Sequence, residues 1–148
     1  PSSRSRKRCR GRHNPAVPAV AAFRQHLAFI AAPHTEAEVA ATYADGATLT
    51  LMYSPEGHTH VLEGGAAIAR FQARIGEFFD VVTRAEPVIR ETADGLVAEY
   101  EGHMISKESG KPYDQEYVAV VIAEGEKIKT IREYYDPIRV LKATGEMA

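Results

Sequence analysis

A glutamate near the end of the chain has neighbours that suit a general acid or base. Residues 127–135 read as a strand in which Ile131, Glu133 and Tyr135 share one face. A carboxylate on such an apolar face is costly to bury unless it has a partner or a chemical task. One interpretation is a proton-transferring group in an apolar pocket. The other is an exposed or salt-paired strand glutamate.

Four further side chains are candidates to bind a substrate near this carboxylate. Tyr53 and Tyr135 could line the pocket wall or donate a hydroxyl, and each could equally be an ordinary core tyrosine. His26, on the first predicted helix, and His60, on a short hairpin, could reach the pocket mouth. A surface or satisfied core position is the alternative for both histidines.

The register of the last hairpin decides whether a second carboxylate, Glu116, faces Glu133. A two-residue loop pairs Tyr117 with Glu133, whereas one extra or bulged residue places Glu116 there. Two facing carboxylates would raise the pKa of one of them, which suits proton transfer. In the alternative interpretation Glu116 faces solvent.

Alternation along the strand at residues 96–106 separates Tyr100 from His103. Tyr100 shares a face with Met104, and His103 shares the other with Glu99 and Glu101. If Tyr100 lines the pocket and binds substrate, His103 lies on the outer face, paired with Glu101 or buried in a dimer contact.

No motif indicates a metal or a cofactor. His58 and His60 form a His-x-His pair with Glu63 nearby in the sequence, but this spacing is a weak metal signal, so we expect no metal. The chain has no Gly-rich phosphate loop, nucleophile elbow or dinucleotide fingerprint. We therefore expect chemistry without a cofactor.

Length and composition indicate one globular domain in the cytoplasm. The chain has 148 residues, and no apolar run approaches the roughly 20 residues of a membrane span. We expect no membrane partner. No stretch resembles the apolar region of a secretory signal, and the single cysteine, Cys9, has no internal disulfide partner.

Charge is distributed unevenly between the first residues and the rest. Residues 1–14 hold six of the 18 lysines and arginines and none of the 20 acidic residues. A basic arm could bind nucleic acid, but the remainder is acidic, so nucleic acid is not the expected ligand. We expect residues 1–14 to be a basic leader that is either disordered or introduced by cloning, and residues 15–148 to be the domain.

The pattern predicts an α+β fold in which three helices enclose a pocket on a cone-shaped, curved, mixed or antiparallel sheet. Thr35 with Glu38 three residues on is a capping box. The predicted helices are 15–32, a short one from Thr35 to near Tyr43, and 66–79, with a possible helical turn at 138–143. The predicted strands are 47–53, 58–62, 81–92, 96–106, 113–123 and 127–135.

This order of elements, with residues 43–48 after the second helix and residues 127–137 at the end, resembles the SnoaL-like group of the ketosteroid isomerase and nuclear transport factor superfamily. The resemblance covers about residues 15–145. Residues 101–103, 113–117 and 125–137 are most similar to the phenazine-biosynthesis A/B proteins.

The resemblance implies a role for Glu133. It falls where SnoaL-like polyketide cyclases carry an acid/base Asp and where the phenazine proteins carry a Glu. Leu51 and Val118 occupy the positions of the two ketosteroid isomerase aspartates, and the cyclase histidine position falls near Val118 or Ala119. These differences predict chemistry other than steroid isomerisation. Glu116 falls at a phenazine-protein histidine position.

The resemblance also implies a class of function and an assembly. We expect a cofactor-independent enzyme of secondary metabolism, of isomerase, cyclase or dehydratase type, acting on a small apolar or aromatic ligand. The alternative is a non-catalytic protein that binds such a ligand. A homodimer is implied, with the outer sheet face near Tyr117, Ala119 and Val121, or their neighbours, as the contact.

Overall fold

The computed structural model of the protein describes residues 19–148. The described chain forms these elements in order: α1 (Ala19–Ala28), α2 (Glu36–Thr42), β1 (Tyr43–Leu51), β2 (Val61–Glu63), α3 (Gly65–Phe78), β3 (Phe79–Arg84), β4 (Val88–Glu91), β5 (Gly95–Ser106), β6 (Pro112–Glu124), β7 (Lys127–Tyr135) and α4 (Pro137–Thr144). The expectations for residues 1–14 and for a helix start at residue 15 fall outside this range.

The strands form one curved mixed sheet. Its order is β2-β1-β7-β6-β5-β3, and β4 pairs with β5 beyond the end of β3. The β1–β7 pair is parallel, and the other pairs are antiparallel. The predicted α+β cone is confirmed. The described residues contain four helices rather than three, because residues 137–144 form a complete short helix.

The core lies between the inner face of the sheet and the first and third helices. Apolar side chains at helical spacing on α1 and α3 pack against every second side chain of the strands. Each helix therefore buries one apolar stripe, and the sheet buries its inner face. Fully buried members include Phe23, Leu49, Ile68, Leu96 and Ile131. This packing defines which strand positions point inward.

The predicted capping box is confirmed at the start of α2. The Thr35 hydroxyl accepts a 3.2 Å hydrogen bond from the Glu38 backbone N–H, and the Glu38 carboxylate accepts one of 2.7 Å from the Thr35 N–H. Both bonds satisfy donors that have no partner inside the helix.

β1 begins earlier than predicted. The strand was predicted at residues 47–53, but it starts at Tyr43 and takes up residues 44–46 as an irregularity in its pairing with β7. Gly46 has φ of 68° there, a conformation that glycine adopts without steric cost. The strand ends at Leu51, so Tyr53 lies beyond it.

Two other predicted strands differ from the observed ones. Residues 81–92 form two strands, because the chain leaves the sheet around Pro87, which cannot donate a ladder hydrogen bond. The short strand predicted at 58–62 is observed at Val61–Glu63. Within residues 19–148, no helix is long and apolar enough to cross a membrane.

Candidate active site

A cavity of about 250 Å³ lies between the inner face of the sheet and the helices. α1, α3 and α4 supply apolar wall residues, and β5, β6 and β7 supply most of the polar ones. The apolar wall includes Leu27, Ile30, Phe71, Ile75, Phe79 and Val140. A ligand in this space therefore exchanges water for a largely apolar environment.

Glu133 places its carboxylate in this cavity. Its strand, β7, lies in the middle of the sheet, with Leu51 beside Glu133 on one side and Ala119 on the other. The Tyr100 hydroxyl donates a 2.6 Å hydrogen bond to Oε2 of Glu133. Burial raises the pKa of Glu133 above its ordinary value, and the Tyr100 hydrogen bond partly opposes this rise.

Four tyrosines surround the ligand space near Glu133. The rings of Tyr100 and Tyr117 stack with centroids 5.1 Å apart, and Tyr117 and Tyr135 lie 6.3 Å apart. Tyr113 lies on the same face of β6 as Tyr117. Burial is the largest cause of a raised pKa for each of these tyrosines, and the nearby charge of Glu133 raises the pKa further. These hydroxyls therefore stay protonated and act as donors near neutral pH.

A buried glutamine orients the hydroxyl of Tyr113. Gln115 accepts hydrogen bonds of 3.1 Å at Oε1 from the backbone N–H groups of Asp136 and Glu116. Its Nε2 donates to the Asp136 carbonyl at 2.8 Å and to the Tyr113 hydroxyl at 3.2 Å. The backbone of β6 at Glu116 and the backbone of Asp136 after β7 therefore fix the orientation of the Gln115 amide, and this amide in turn holds the Tyr113 hydroxyl.

Of the residues predicted from sequence, the structure brings Glu133, Tyr100 and Tyr135 together in the cavity. Alternation on β5 places Tyr100 inside and His103 outside, as predicted. On the outer face, His103 Nδ1 lies 2.9 Å from Asp114 and Nε2 lies 3.4 Å from Glu101.

The expectation that His26 reaches the pocket is corrected. His26 is fully buried in the core beside the cavity, with Nδ1 2.6 Å from the Tyr43 hydroxyl and Nε2 3.3 Å from Gln72. Burial lowers the pKa of His26 to about 3. The residue is thus a neutral core histidine, and Gln72 stands between it and the cavity as a lining residue.

Two residues from the loop after β1 also lie away from the cavity. Tyr53 is 57% exposed and its ring contacts Tyr134, because β1 ends before this position. His60 is exposed, and its Nδ1 donates a 2.9 Å hydrogen bond to the Leu51 carbonyl. The loop histidine that lines the cavity is His58, whose Nε2 is 2.9 Å from the Glu146 carboxylate.

Neither predicted register for the last hairpin is observed. The β6–β7 turn has two residues, and a bulge at Lys129 shifts the pairing so that Ala119 lies opposite Glu133. Glu116 consequently points to the outer face, where Arg139 lies 3.7 Å away. Placing Glu116 near Glu133 was therefore wrong.

The same register corrects the residues expected in a dimer contact. Ala119 and Val121 are buried on the inner face, and Tyr117 lines the cavity. Their neighbours Val118 and Val120 occupy the outer face instead.

Sequence reasoning missed Tyr113, Gln115 and Tyr117 as site residues. They alternate along β6, which is the spacing of side chains on one face of a strand. That spacing could have identified the group, but which face of β6 is the inner one depends on the hairpin register.

The described residues contain no cluster of three or more metal-ligating side chains. The polar groups that line the cavity include the Glu133 carboxylate and several tyrosine hydroxyls, an arrangement that can accept, hold and return a proton. His58, Gln72 and Glu101 also line it.

No protein-family model matches the chain. The uncharacterized protein YesE of Bacillus subtilis strain 168 is 30% identical over 105 residues, which are 68% of this chain and 70% of YesE.

Solved structures share the fold. A Bacillus subtilis protein whose name proposes an isomerase is 24% identical, with a TM-score of 0.76 over 88% of this chain and 94% of its own. An NTF2-like protein of Burkholderia xenovorans is 16% identical, with a TM-score of 0.74 over 86% and 95%. A phenazine biosynthesis-related protein of Pseudomonas aeruginosa is 17% identical, with a TM-score of 0.65 over 90% and 87%. The chain therefore belongs to the family of YesE and has the fold of these NTF2-like and phenazine biosynthesis-related structures.

Proposed function

We propose that the protein is a small-molecule enzyme in which Glu133 transfers a proton without a cofactor. The observation that carries the proposal is a carboxylate of raised pKa in an apolar cavity, held by a 2.6 Å bond from Tyr100. A general base works best when its pKa is near the working pH, and burial raises the pKa of the Glu133 carboxylate toward neutral pH. The reaction is of isomerase, cyclase or dehydratase type.

The geometry suggests how Glu133 would act. Because Tyr100 binds Oε2, Oε1 is the oxygen available to take a proton from a carbon of the substrate. The electron pair of the broken C–H bond moves into the substrate's conjugated system. The Glu133 carboxylic acid then returns the proton at another atom, so the enzyme ends in its starting state.

The cavity favours a small ligand of one or two rings. Its volume of about 250 Å³ lies below the roughly 300–1,000 Å³ of sites for drug-sized molecules. The stacked rings of Tyr100 and Tyr117 offer flat apolar surfaces for an aromatic or conjugated ligand. A role in secondary metabolism is supported by the fold shared with the phenazine biosynthesis-related protein.

The test uses 2-tetralone, a bicyclic ketone with exchangeable α-protons, in deuterated buffer. We expect the protein to accelerate exchange of these protons, followed by NMR, and Glu133→Gln to slow the catalysed exchange at least ~100-fold. Glu126→Gln removes a carboxylate from the exposed β6–β7 turn and is the matched control. Fluorescence of 2-naphthol, which resembles the enol of 2-tetralone, measures whether binding is retained.

The second candidate function is non-catalytic binding of a small apolar ligand. It is favoured by the enclosed apolar cavity itself, which needs no catalytic group to hold a ligand. Binding of 2-naphthol without any acceleration of exchange, unchanged in Glu133→Gln, would support this function and contradict the first.

We also propose that the protein forms a homodimer through the outer face of the sheet. Tyr53 and Tyr134 contact each other on that face, beside Val118, which is 36% exposed. Exposed apolar side chains of this kind favour a partner surface. Sedimentation of wild type at twice the monomer mass, and of Val118→Glu at the monomer mass, is the expected result.

A further inference from the structure

A glycine interrupts the row of side chains that β5 presents to the cavity. Tyr100, Gly102 and Met104 alternate on the inner face of the strand, and all three line the cavity. Tyr100 and Met104 carry large side chains, whereas Gly102 presents only its backbone to the ligand space. The cavity is therefore wider at Gly102 than at the positions before and after it on the same face.

The backbone does not require glycine at this position. The φ of Gly102 is not positive, and the β5–β6 pairing runs from Gly95 to Ile105 without a bulge. The irregularity in the neighbouring β3–β5 pairing lies on β3, between Val81 and Thr83. A glycine inside a strand lowers stability relative to alanine, because it loses more backbone freedom on folding and packs no side chain. The presence of glycine here therefore needs a reason other than conformation.

The structure has room for one added carbon at Gly102. Apart from atoms of residues 101–103, the three heavy atoms nearest to a Cβ atom at this position would be Tyr117 Cε2 at 3.4 Å, Met104 Cε at 3.5 Å and the Tyr117 hydroxyl at 3.9 Å. These are ordinary van der Waals distances, so an alanine side chain meets no clash and projects into the cavity. Glycine thus keeps open a slot bounded by Gly102, Tyr117 and Met104.

The slot has the shape and the chemistry of a site for a flat ring. Gly102 lies inside the sheet, paired with Gln115 on β6 and with Arg84 on β3, so the floor of the slot is a stretch of backbone whose position the sheet holds. The aromatic ring of Tyr117 lies on one side and the Met104 thioether on the other. Aromatic rings and thioethers both pack favourably against an aromatic or conjugated ring.

The slot lies beside the part of the cavity that Glu133 occupies. Tyr100, which binds the Glu133 carboxylate, is the inner-face residue directly before Gly102 on β5. Successive inner-face positions on a strand are roughly 7 Å apart. A ligand with two fused rings can therefore place one ring beside Glu133 and the other in the slot.

We propose that Gly102 determines the size of the ligand, because the slot holds the second ring of a flat, fused bicyclic ligand. The preferred substrates are then bicyclic aromatic or conjugated compounds rather than single rings. The inference rests on the proposed function for the role of the first ring beside Glu133. A side chain at position 102 fills the slot and leaves room for one ring, so glycine widens the site at a cost in strand stability.

The test compares 2-naphthol, which has two fused rings, with phenol, which has one ring and the same hydroxyl. Fluorescence titration of both ligands measures their affinities. We expect Gly102→Ala to weaken 2-naphthol binding about tenfold, and Gly102→Val to weaken it more, because the added carbons overlap the second ring. Phenol affinity stays the same in Gly102→Ala. Val97→Ile adds one carbon on the outer face of the same strand, and this matched control should leave both affinities unchanged.

Urea unfolding without a ligand gives a second measurement. We expect the midpoint of Gly102→Ala to equal or exceed that of wild type, because the added Cβ atom meets no clash and restricts the unfolded chain. A lower midpoint, or a variant that does not fold, would mean that the fold itself requires glycine at this position, and it would overturn the inference.

The binding outcomes decide the role of Gly102. Equal losses of 2-naphthol and phenol affinity in Gly102→Ala, or no loss of either, overturn the inference. Absence of 2-naphthol binding in wild type also overturns it. Selective loss of 2-naphthol affinity, together with an unchanged or higher urea midpoint, supports it.

Exchange of 2-tetralone separates this inference from the proposed function. Gly102→Ala should raise KM more than it lowers kcat, because Glu133 is untouched. If Glu133→Gln slows exchange while Gly102→Ala leaves KM unchanged, the proposed function stands and the inference fails. If Gly102→Ala selectively weakens 2-naphthol binding while Glu133→Gln has no effect on exchange, the proposed function fails and Gly102 sets ligand size in a binding protein.

Discussion

The Tyr100 hydroxyl lies 2.6 Å from Oε2 of Glu133, joining the middle of β5 to the C-terminal part of β7 across the intervening strand β6. This bond counteracts part of the rise in the Glu133 pKa that burial causes. It also holds the carboxylate in one orientation, which a proton-transfer reaction requires.

Tyr100→Phe removes that bond and keeps the ring. We expect the pKa of Glu133 to rise further above its ordinary value, because the charged carboxylate loses its donor while burial remains. NMR titration of the Glu133 side-chain carbonyl measures the shift. An unchanged or lowered pKa would show that the bond does not stabilise the ionised form. Tyr134→Phe, which removes a hydroxyl from the outer end of β7, is the control.

Glu133→Gln is expected to stabilise the fold at neutral pH. The folded-state pKa of Glu133 is raised, so between the ordinary value of about 4.5 and the folded-state value the folded protein binds more protons than the unfolded chain. The contribution of Glu133 to stability therefore decreases as pH rises from the unfolded pKa to the folded pKa, and stays low above it. Urea unfolding at pH 5 and pH 8 measures this. The gain from Glu133→Gln should be larger at pH 8, whereas Glu126→Gln should show no such pattern.

His26 is expected to make the protein acid-sensitive. Its folded-state pKa is lowered to about 3 from an ordinary 6.5, so its contribution to stability is complete above pH 6.5 and is lost as pH falls below it. The loss is about 1.4 kcal/mol per pH unit, or about 3 kcal/mol at pH 4.5. In His26→Gln, unfolding free energies measured between pH 8 and pH 4.5 should lose this slope, even if the variant is less stable throughout. Equal slopes would contradict a neutral buried His26.

Thr35→Ala tests the start of α2. The variant removes the hydroxyl that accepts from the Glu38 N–H, and we expect a loss of about 1 kcal/mol in unfolding free energy. Thr35→Ser, which keeps the oxygen, is the control and should lose much less. Chemical denaturation at pH 7 compares the two.

Local chemistry in the sequence determined several features of this protein. Thr35 and Glu38 specify a helix start by their spacing alone, because a capping box involves neighbours in the chain. Alternation along β5 and β7 separated Tyr100 from His103 and placed Glu133 with Ile131 and Tyr135. These properties follow from the spacing of side chains along a helix or a strand, which can be read from a short segment of sequence.

Features that depend on relations between segments required the tertiary structure. The bulge at Lys129 placed Ala119 opposite Glu133 and sent Glu116 to the outer face, since a shift of one residue reverses every side chain. His26 proved to be a core residue because Tyr43 and Gln72, distant in sequence, supply its partners. The sequence thus identified the carboxylate, and strand register decided which tyrosines surround it.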